Sequence, residues 1–238
     1  MPLPKIVTPT FELDLPSSGK TIKYRPFLVK EEKLLVIALE SEDTQQITSA
    51  IKAVISDCIL SKDVKIELLP TFDIEYLFLN IRGKSVGEVV EVNIVCPDDG
   101  ETEVKVSISL DDIQVVRDEE HTKTVKLDDT YFMDMRYPSL DQFIRNNFEF
   151  ENPDMDQSFE LIGSCIDKIY DNEEVWSTDD VTPQEVKDFL EQLNSTQFKE
   201  IEKFFSTMPK LSHTIDVKNP KTKKKSKVTL EGLSSFFA

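Results

Sequence analysis

The sequence predicts an α+β fold, in which helical bundle segments are kept apart from antiparallel β-hairpins along the chain. Two stretches, residues 88–110 and 211–231, alternate apolar and polar residues with a period of two, which is typical of strands. Other stretches carry apolar residues at helical spacing, among them residues 47–58 and 198–205. These blocks follow one another in the order hairpin, helices, hairpin, helices, hairpin, and that order favours the α+β class.

The same patterns divide the 238 residues into five segments. Residues 1–28 are predicted to form an N-terminal β-hairpin, and residues 29–85 an N-terminal helical segment with three helices. Residues 86–137 are a β-hairpin module, and residues 138–209 are a C-terminal helical segment. Residues 210–238 are a C-terminal hairpin and tail, which we expect to form one connected body with residues 86–137. Within the second helical segment, helices are predicted from Leu140, over Phe159–Ile169, from Thr182 to about Leu193, and from Ser195.

The two later hairpins end in turns that resemble the remains of a zinc site. A zinc ribbon needs two Cys-x-x-Cys turns, because tetrahedral Zn²⁺ takes four thiolate or imidazole ligands. In that frame the four positions are Cys96, Asp99, Lys218 and Lys221. One is a thiol and two are cations that would repel the metal. The sequence therefore indicates either a degenerate zinc-ribbon-like pair that has lost its ligands or two ordinary polar tips, and no metal is expected in either case.

The net charge and the cysteines indicate which cellular compartment and which classes of binding partner the protein has. Acidic residues number 45 against 28 basic ones, which gives a net charge of −17. A field of that sign disfavours nucleic acids and anionic membranes, because phosphate binding needs an excess of Lys and Arg. No apolar stretch is long enough to span a membrane. The three scattered cysteines fit a reducing cytoplasm, and Cys58 lies on a helical stripe where a buried position is expected.

Residues with catalytic chemistry are scarce. The two histidines, His121 and His213, fall on predicted strand edges among charged residues, where surface positions are expected. With six glycines in the chain, no phosphate-binding loop motif occurs. We therefore expect no enzyme, no catalytic residues and no cofactor.

Three features are candidates for protein interfaces. Phe236 and Phe237 stand together near the end of the sequence and either pack onto the core or insert into a partner. The lysine run around Lys223, Lys224 and Lys225 is either a solvated hairpin tip or a docking knob for an acidic partner. Trp176, the only tryptophan, lies in an acidic loop and is either a lid on the helical segment or a second anchor.

Blocks of sequence over nearly the whole chain resemble the baseplate hub assembly proteins of T4-type tailed phages. These blocks are Arg25-Pro26-Phe27-Leu28-Val29-Lys30-Glu31-Glu32-Lys33-Leu34-Leu35, Leu69-Pro70-Thr71-Phe72-Asp73-Ile74-Glu75-Tyr76-Leu77-Phe78-Leu79, the Cys96 hairpin, and Leu230-Glu231-Gly232-Leu233-Ser234-Ser235-Phe236-Phe237. The block Tyr76-Leu77-Phe78-Leu79 is the most specific of them. Relatives with complete Cys-x-x-Cys turns would bind metal at the hairpin tips, and the residues at Asp99, Lys218 and Lys221 depart from that pattern.

The resemblance implies a non-enzymatic late protein that assists assembly of the baseplate hub of a contractile tail. Its partners would be phage baseplate hub proteins, in the cytoplasm of the infected host. A chaperone that leaves before the particle is complete and a permanent structural subunit of the hub are both open, as is self-association. An enzyme with an unfamiliar site is a third hypothesis, for which the sequence offers no motif.

Overall fold

A computed structural model describes residues 6–41, 43–139 and 155–232, and it confirms the α+β class. The helices of these residues are α1 Val29–Glu40, α2 Thr44–Cys58, α3 Thr71–Val86, α4 Met155–Cys165, α5 Pro183–Glu191 and α6 Ser195–Thr207. The strands are β1 Phe11–Asp14, β2 Thr21–Tyr24, β3 Val89–Val95, β4 Glu103–Ser109, β5 Gln114–Val116, β6 Thr124–Lys126, β7 Phe132–Met135, β8 Ile166–Tyr170, β9 Val175–Ser177, β10 Lys210–Lys218 and β11 Lys225–Glu231. The chain divides into two compact units, Met1–Val116 with Lys210–Ala238, and Arg117–Pro209.

The first unit opens with the expected hairpin of β1 and β2, followed by helices α1, α2 and α3. Helix α3 begins directly after Pro70, which cannot supply an amide hydrogen inside a helix. The turn between β1 and β2 is held to α3 by Asp73, which is fully buried and accepts hydrogen bonds from the amide and the hydroxyl of Ser17 at 2.9 and 2.5 Å. Burial of this carboxylate therefore depends on partners that the hairpin turn supplies.

The β-structure of the first unit consists of two antiparallel sheets around a shared apolar cluster. Strand β3 pairs with β4, and a second sheet has the order β11-β10-β5. The pairing of β5 with β10 joins two segments that are far apart in the sequence. The cluster between the sheets contains residues from both hairpins and from α3: Leu79, Val90, Val92, Ile94, Cys96, Ile108, Leu110, Ile113, Leu211, Ile215 and Val217.

The second unit consists of a four-stranded antiparallel sheet, in the order β6-β7-β8-β9, and helices α4 to α6. Two of the helices start at capping boxes, with Thr182 and Glu185 at α5 and with Asn194 and Gln197 at α6. Such caps satisfy amide groups that the first helical turn leaves without an intrahelical partner. The core between sheet and helices contains Val125, Leu127, Met133, Met135, Ile162, Cys165, Ile166, Val186, Leu190, Ile201 and Phe204.

Two details of the predicted elements are wrong. The helix predicted over Phe159–Ile169 ends at Cys165, and the following residues form β8. Ile166 and Ile169 have a spacing that also fits a helix, but each lies opposite a methionine of β7, so tertiary pairing decides the structure. Trp176 lies in strand β9 and not in a loop. The helix predicted from Leu140 lies outside the described residues, and the chain passes from the first unit to the second at Val116, within the segment 86–137.

Candidate functional site

The tips of the two zinc-ribbon-like hairpins face each other in the first unit. The β3–β4 hairpin contributes Asp98 and Asp99, and the β10–β11 hairpin contributes Asn219 and Thr222. The side-chain nitrogen Nδ2 of Asn219 donates to Oδ1 of Asp98 at 3.0 Å and to Oδ2 of Asp99 at 2.9 Å. The hydroxyl of Thr222 donates to Oδ2 of Asp98. We call these four residues the hairpin-tip network.

Two members of the hairpin-tip network, Asn219 and Asp99, also shape their own turns. The side-chain oxygen of Asn219 accepts hydrogen bonds from the amides of Lys221 and Thr222 at 2.8 and 3.2 Å. Asp99 accepts from the amide of Thr102 at 3.0 Å and from its hydroxyl at 2.6 Å. Asn219 has 1% of its surface exposed, so its polar atoms depend on these partners instead of water. The network therefore fixes both turns and joins them to each other.

The two turns share a hydrogen bond and a left-handed residue, although the first turn is one residue longer, because Cys96 bonds to the carbonyl of Thr102 and Asn219 to that of Lys224. The amide of Gly100 donates to the carbonyl of Cys96 at 2.9 Å, and the amide of Lys223 donates to the carbonyl of Asn219 at 3.0 Å. Gly100 and Lys223 have φ angles of 68° and 65°. This matching makes Asn219 the counterpart of Cys96. Left-handed backbone suits glycine and costs energy for lysine, so the second turn has a less favourable residue at the left-handed position that the two turns share.

In the second turn, the residues that contact the first turn differ from the two positions of the zinc-ribbon frame. Lys218 and Lys221 are exposed, and the residues that contact the first turn are Asn219 and Thr222. The reason is the strand alternation of β10, which buries Val217 and Asn219 and directs Lys218 outward. Cys96 is buried in the apolar cluster, as a strand-end residue of the first hairpin.

Hydrogen bonding holds the carboxylates of the hairpin-tip network in the ionised state. The hydroxyl and amide of Thr102, followed by Asn219, lower the pKa of Asp99 far below its ordinary value. Hydrogen bonds from Thr222 and Asn219 lower the pKa of Asp98. Burial raises the pKa of the Cys96 thiol, and the two aspartate charges raise it further. The site therefore presents two carboxylates and a protonated thiol at neutral pH.

A metal centre would need several donors brought together. Over residues 6–41, 43–139 and 155–232, no group of three or more His, Cys, Asp and Glu side chains is arranged to hold a metal ion. In the hairpin-tip network an uncharged side-chain amide donates hydrogen bonds to two carboxylates, so hydrogen bonds connect the two tips.

The lysine turn beside the network is exposed to solvent. Lys223, Lys224 and Lys225 all lie on its surface, and Lys223 has the positive φ described above. The other interface residues named from the sequence, Phe236 and Phe237, lie outside the described residues.

His121 is in a different place from the one expected. It lies in the loop before β6, half-buried, and not on an exposed strand edge. Its Nδ1 is 2.9 Å from the hydroxyl of Thr207, and its Nε2 is 2.9 Å from the hydroxyl of Tyr137. Because the Thr207 hydroxyl donates to the carbonyl of Lys203 at 2.7 Å, it accepts from Nδ1–H of the histidine. Burial lowers the pKa of His121, and the charge of Lys123 lowers it further.

The remaining thiols are buried as well. Cys58 and Cys165 are fully buried, which confirms the expectation for Cys58. Burial raises the pKa of each to about 11. Both are protonated at neutral pH and so lack the thiolate that a nucleophile or metal ligand needs.

A buried ion pair at the start of α1 is a feature that sequence reasoning missed. Glu31 has 3% of its surface exposed, and its carboxylate accepts from Arg25 at 2.9 Å and from the amide of Leu28 at 2.7 Å. Burial alone would raise the pKa of Glu31, but hydrogen bonds from Arg25, Lys30 and the Leu28 amide outweigh it and lower the pKa to about 2. Leu28 precedes helix α1, and Glu31 lies three residues later, a position where glutamate commonly caps a helix. The sequence therefore did contain an indication of this contact.

The second unit has an exposed aromatic pair at one end of its sheet. Trp176 on β9 and Tyr131, which precedes β7, have ring centroids 6.3 Å apart. Both side chains are exposed. Of the two roles considered for Trp176, a lid would cover apolar residues and lose its own exposure, whereas an anchor stays in solvent until a partner binds.

The fold and these sites define an α+β protein whose paired zinc-ribbon-like hairpins are closed by side-chain hydrogen bonds. The chain belongs to the family of T4 bacteriophage base plate proteins, whose model matches residues 8–238. No curated protein and no solved structure matches it. It is thus a phage baseplate protein, with partners among the components of that assembly. No helix in the described part of the chain is both long and apolar enough to cross a membrane.

Proposed function

We propose that this chain is a non-enzymatic protein that assists assembly of the baseplate hub by binding hub proteins in the host cytoplasm. The observation that carries the proposal is the family match over residues 8–238, nearly the whole chain.

The state of the reactive side chains supports a role without catalysis. The thiols of Cys58, Cys96 and Cys165 have raised pKa values because they are buried. Both ring nitrogens of His121 are engaged in hydrogen bonds within the second unit. A general base or nucleophile needs a reactive atom that a substrate can reach, and these groups do not offer one.

An exposed apolar helix face supports a role in protein binding. Val29, Val36 and Ile37 of α1 have 78, 47 and 52% of their surface exposed. Large apolar side chains grouped on a surface are characteristic of protein interfaces. Phe236 and Phe237 and the turn at Lys223–Lys225 remain proposed contacts with hub proteins on the sequence arguments given above.

The experiment that tests this function is quantitative mass spectrometry of purified virions and of the infected-cell lysate, with a tail structural protein as internal standard. An assembly factor would be abundant in the lysate, would co-purify there with a hub protein, and would be absent from finished particles. Recovery from virions in fixed ratio to the standard would contradict the assembly role and make the chain a permanent hub subunit.

A further inference from the structure

An apolar row crosses the sheet of the second unit and ends in solvent. Val125, Met133, Ile169 and Trp176 lie directly opposite one another on successive strands, from β6 to β9. Val125 and Met133 are buried, whereas Trp176 is 39% exposed. The row that forms the core on three strands therefore continues onto the edge strand, where Trp176 is only partly covered.

The edge strand is apolar on its other face as well. Val175 belongs to the adjacent row, opposite Tyr170, and is 65% exposed. The opposite edge of the sheet, β6, carries Lys126 and borders α6. Charged residues and covering helices are the usual means of blocking an edge against further pairing. Strand β9 has no charged residue.

The backbone of β9 is oriented to receive another strand. At the hairpin turn the amide of Asp171 donates to the carbonyl of Glu174 at 3.0 Å. Hydrogen-bonded pairs alternate in antiparallel strands, so the next bonded pair is Ile169 with Trp176. The amide and carbonyl groups of Val175 and the amide of Ser177 consequently point away from β8, whereas the carbonyl of Ser177 begins the 3-10 turn Thr178–Asp180. No further strand of the described residues pairs with that side.

The surroundings of this edge are acidic. The β8–β9 turn has Asp171, Glu173 and Glu174, and Asp179 and Asp180 follow one residue after the end of β9. The cations of the neighbouring strands are already matched, because Lys126 lies 2.7 Å from Asp129 and Lys168 lies 3.3 Å from Asp134. Arg136, just after β7, lies 3.7 Å from Asp179.

We propose that the outer edge of β9 binds an extended, basic segment of a partner protein, which joins the sheet as an additional strand. Backbone groups of Val175 and Ser177 would pair with the segment. Because side chains alternate between the two faces of a strand, its aliphatic residues would cover Trp176 on one face, and its arginines or lysines would lie on the face of Val175, close to the acidic turn. This inference deepens the proposed function and rests on it for the partner being a baseplate component.

Trp176 is the only tryptophan, so its fluorescence reports on this edge alone. The test is a titration of the full chain with a synthetic peptide of alternating arginine and valine, followed by tryptophan emission. The control peptide has glutamate in place of arginine. We expect a saturable blue shift with the arginine peptide, weakened by 0.5 M salt because the contacts are ionic, and no shift with the glutamate peptide.

Two variants locate the binding. Val175→Lys places a cation on the edge of the sheet. It should lower the affinity for the arginine peptide about tenfold or more, because like charges repel in an interface. The matched control is Val89→Lys, an equally exposed strand valine of the first unit. Circular dichroism checks the fold of both. If Val175→Lys does not fold, Glu174→Lys places a cation in the adjacent β8–β9 turn instead, and it should also lower the affinity for the arginine peptide.

Equal shifts with both peptides, or unchanged affinity in the folded edge variant, would overturn the proposal. A blue shift that grows with protein concentration without peptide would also overturn it, since the occupant would then be a second copy of the chain. These results are independent of the virion measurement, so an edge that binds no peptide can be distinguished from a chain that does not assist assembly.

Discussion

The side-chain amide of Asn219 donates a hydrogen bond of 2.9 Å to the carboxylate of Asp99, which lies 120 positions earlier in the sequence. This bond joins two hairpin tips whose turns each have a left-handed residue, Gly100 in the first and Lys223 in the second. In a zinc ribbon the metal makes that connection, and here an uncharged amide between two carboxylates makes it. The arrangement explains how paired hairpins of this shape are held together through side chains alone.

Replacing Asn219 by alanine should destabilise the first unit. The change leaves Asp98 and Asp99 without their shared donor and the turn amides of Lys221 and Thr222 without their acceptor. We expect the free energy of unfolding to fall by about 1–3 kcal/mol, the range for losing hydrogen bonds to charged groups, because Asp98 and Asp99 keep their donors Thr222 and Thr102. Urea denaturation measures it. Asn93→Ala, an exposed asparagine of β3, is the matched control; equal losses in the two variants would contradict a specific role for Asn219.

Removal of metal ions should leave the stability unchanged. The hairpin tips are connected by Asn219 and Thr222, and these bonds do not involve an ion. We expect the same thermal midpoint in EDTA, in buffer alone and with added Zn²⁺, measured by differential scanning calorimetry. A midpoint that falls in EDTA and recovers with zinc would show that the tips do hold a metal.

Replacing Lys223 by glycine should stabilise the second turn. A lysine at φ 65° is strained, and its counterpart in the first turn is Gly100. Relief of this strain is worth about 1–2 kcal/mol, and the greater freedom of glycine in the unfolded chain offsets about half of it. We expect a small rise in the thermal midpoint. Lys224→Gly, without positive φ in the same turn, should lower the midpoint; a fall in both variants would contradict the strain argument.

Much of the fold could be predicted from local pattern, whereas the candidate sites depended on contacts between distant residues. Helices α1 and α2 and the hairpins follow directly from apolar spacing and turn residues. Strand β8 does not, because Ile166 and Ile169 fit either period and only pairing with β7 decides. The partnership of Asn219 with Asp98 and Asp99 is likewise absent from any local window, since an asparagine after a strand is an ordinary turn residue.

The ion pair of Glu31 with Arg25 should make the free energy of unfolding depend on pH in the acid range. The pKa of Glu31 is about 2 in the folded protein, below the ordinary 4.5. A carboxylate whose pKa is lowered by folding stabilises the folded protein fully when the pH is above its ordinary pKa of 4.5. That contribution disappears as the pH falls from 4.5 towards 2. At pH 7 we expect Glu31→Gln to lower the free energy of unfolding by about 2 kcal/mol, the scale of a charge-assisted hydrogen bond.

The measurement is chemical denaturation of the wild type and of Glu31→Gln between pH 7 and pH 2. The difference between them should shrink below pH 4.5. Glu32→Gln, the exposed neighbour, is the control and should match the wild type at pH 7. A difference that stays constant down to pH 2 would mean that the carboxylate charge contributes nothing and that only the shape of the side chain matters.

His121 should have a lower pKa than an ordinary histidine, and its protonation in mild acid should destabilise the second unit. Burial lowers its pKa, and the charge of Lys123 adds to the effect. The neutral ring donates to Thr207 through Nδ1 and accepts from Tyr137 at Nε2. Protonation of Nε2 would replace that acceptor with a second donor. Because the folded pKa is lowered, the stability is complete above about pH 6.5 and decreases as the pH falls towards the folded pKa.

Long-range ¹H–¹⁵N NMR in a His213→Gln background leaves one imidazole to follow. At pH 7.5 the spectrum should have the pattern of a neutral ring with hydrogen on Nδ1, and the midpoint of its titration should lie below about 6.5. His121→Phe keeps the aromatic contacts with Tyr137 and Phe204 but has no titrating group, so its stability should vary less than that of the wild type between pH 7.5 and 5. A midpoint above 6.5, or hydrogen on Nε2, would contradict the assigned hydrogen bonds and leave Thr207 without its donor.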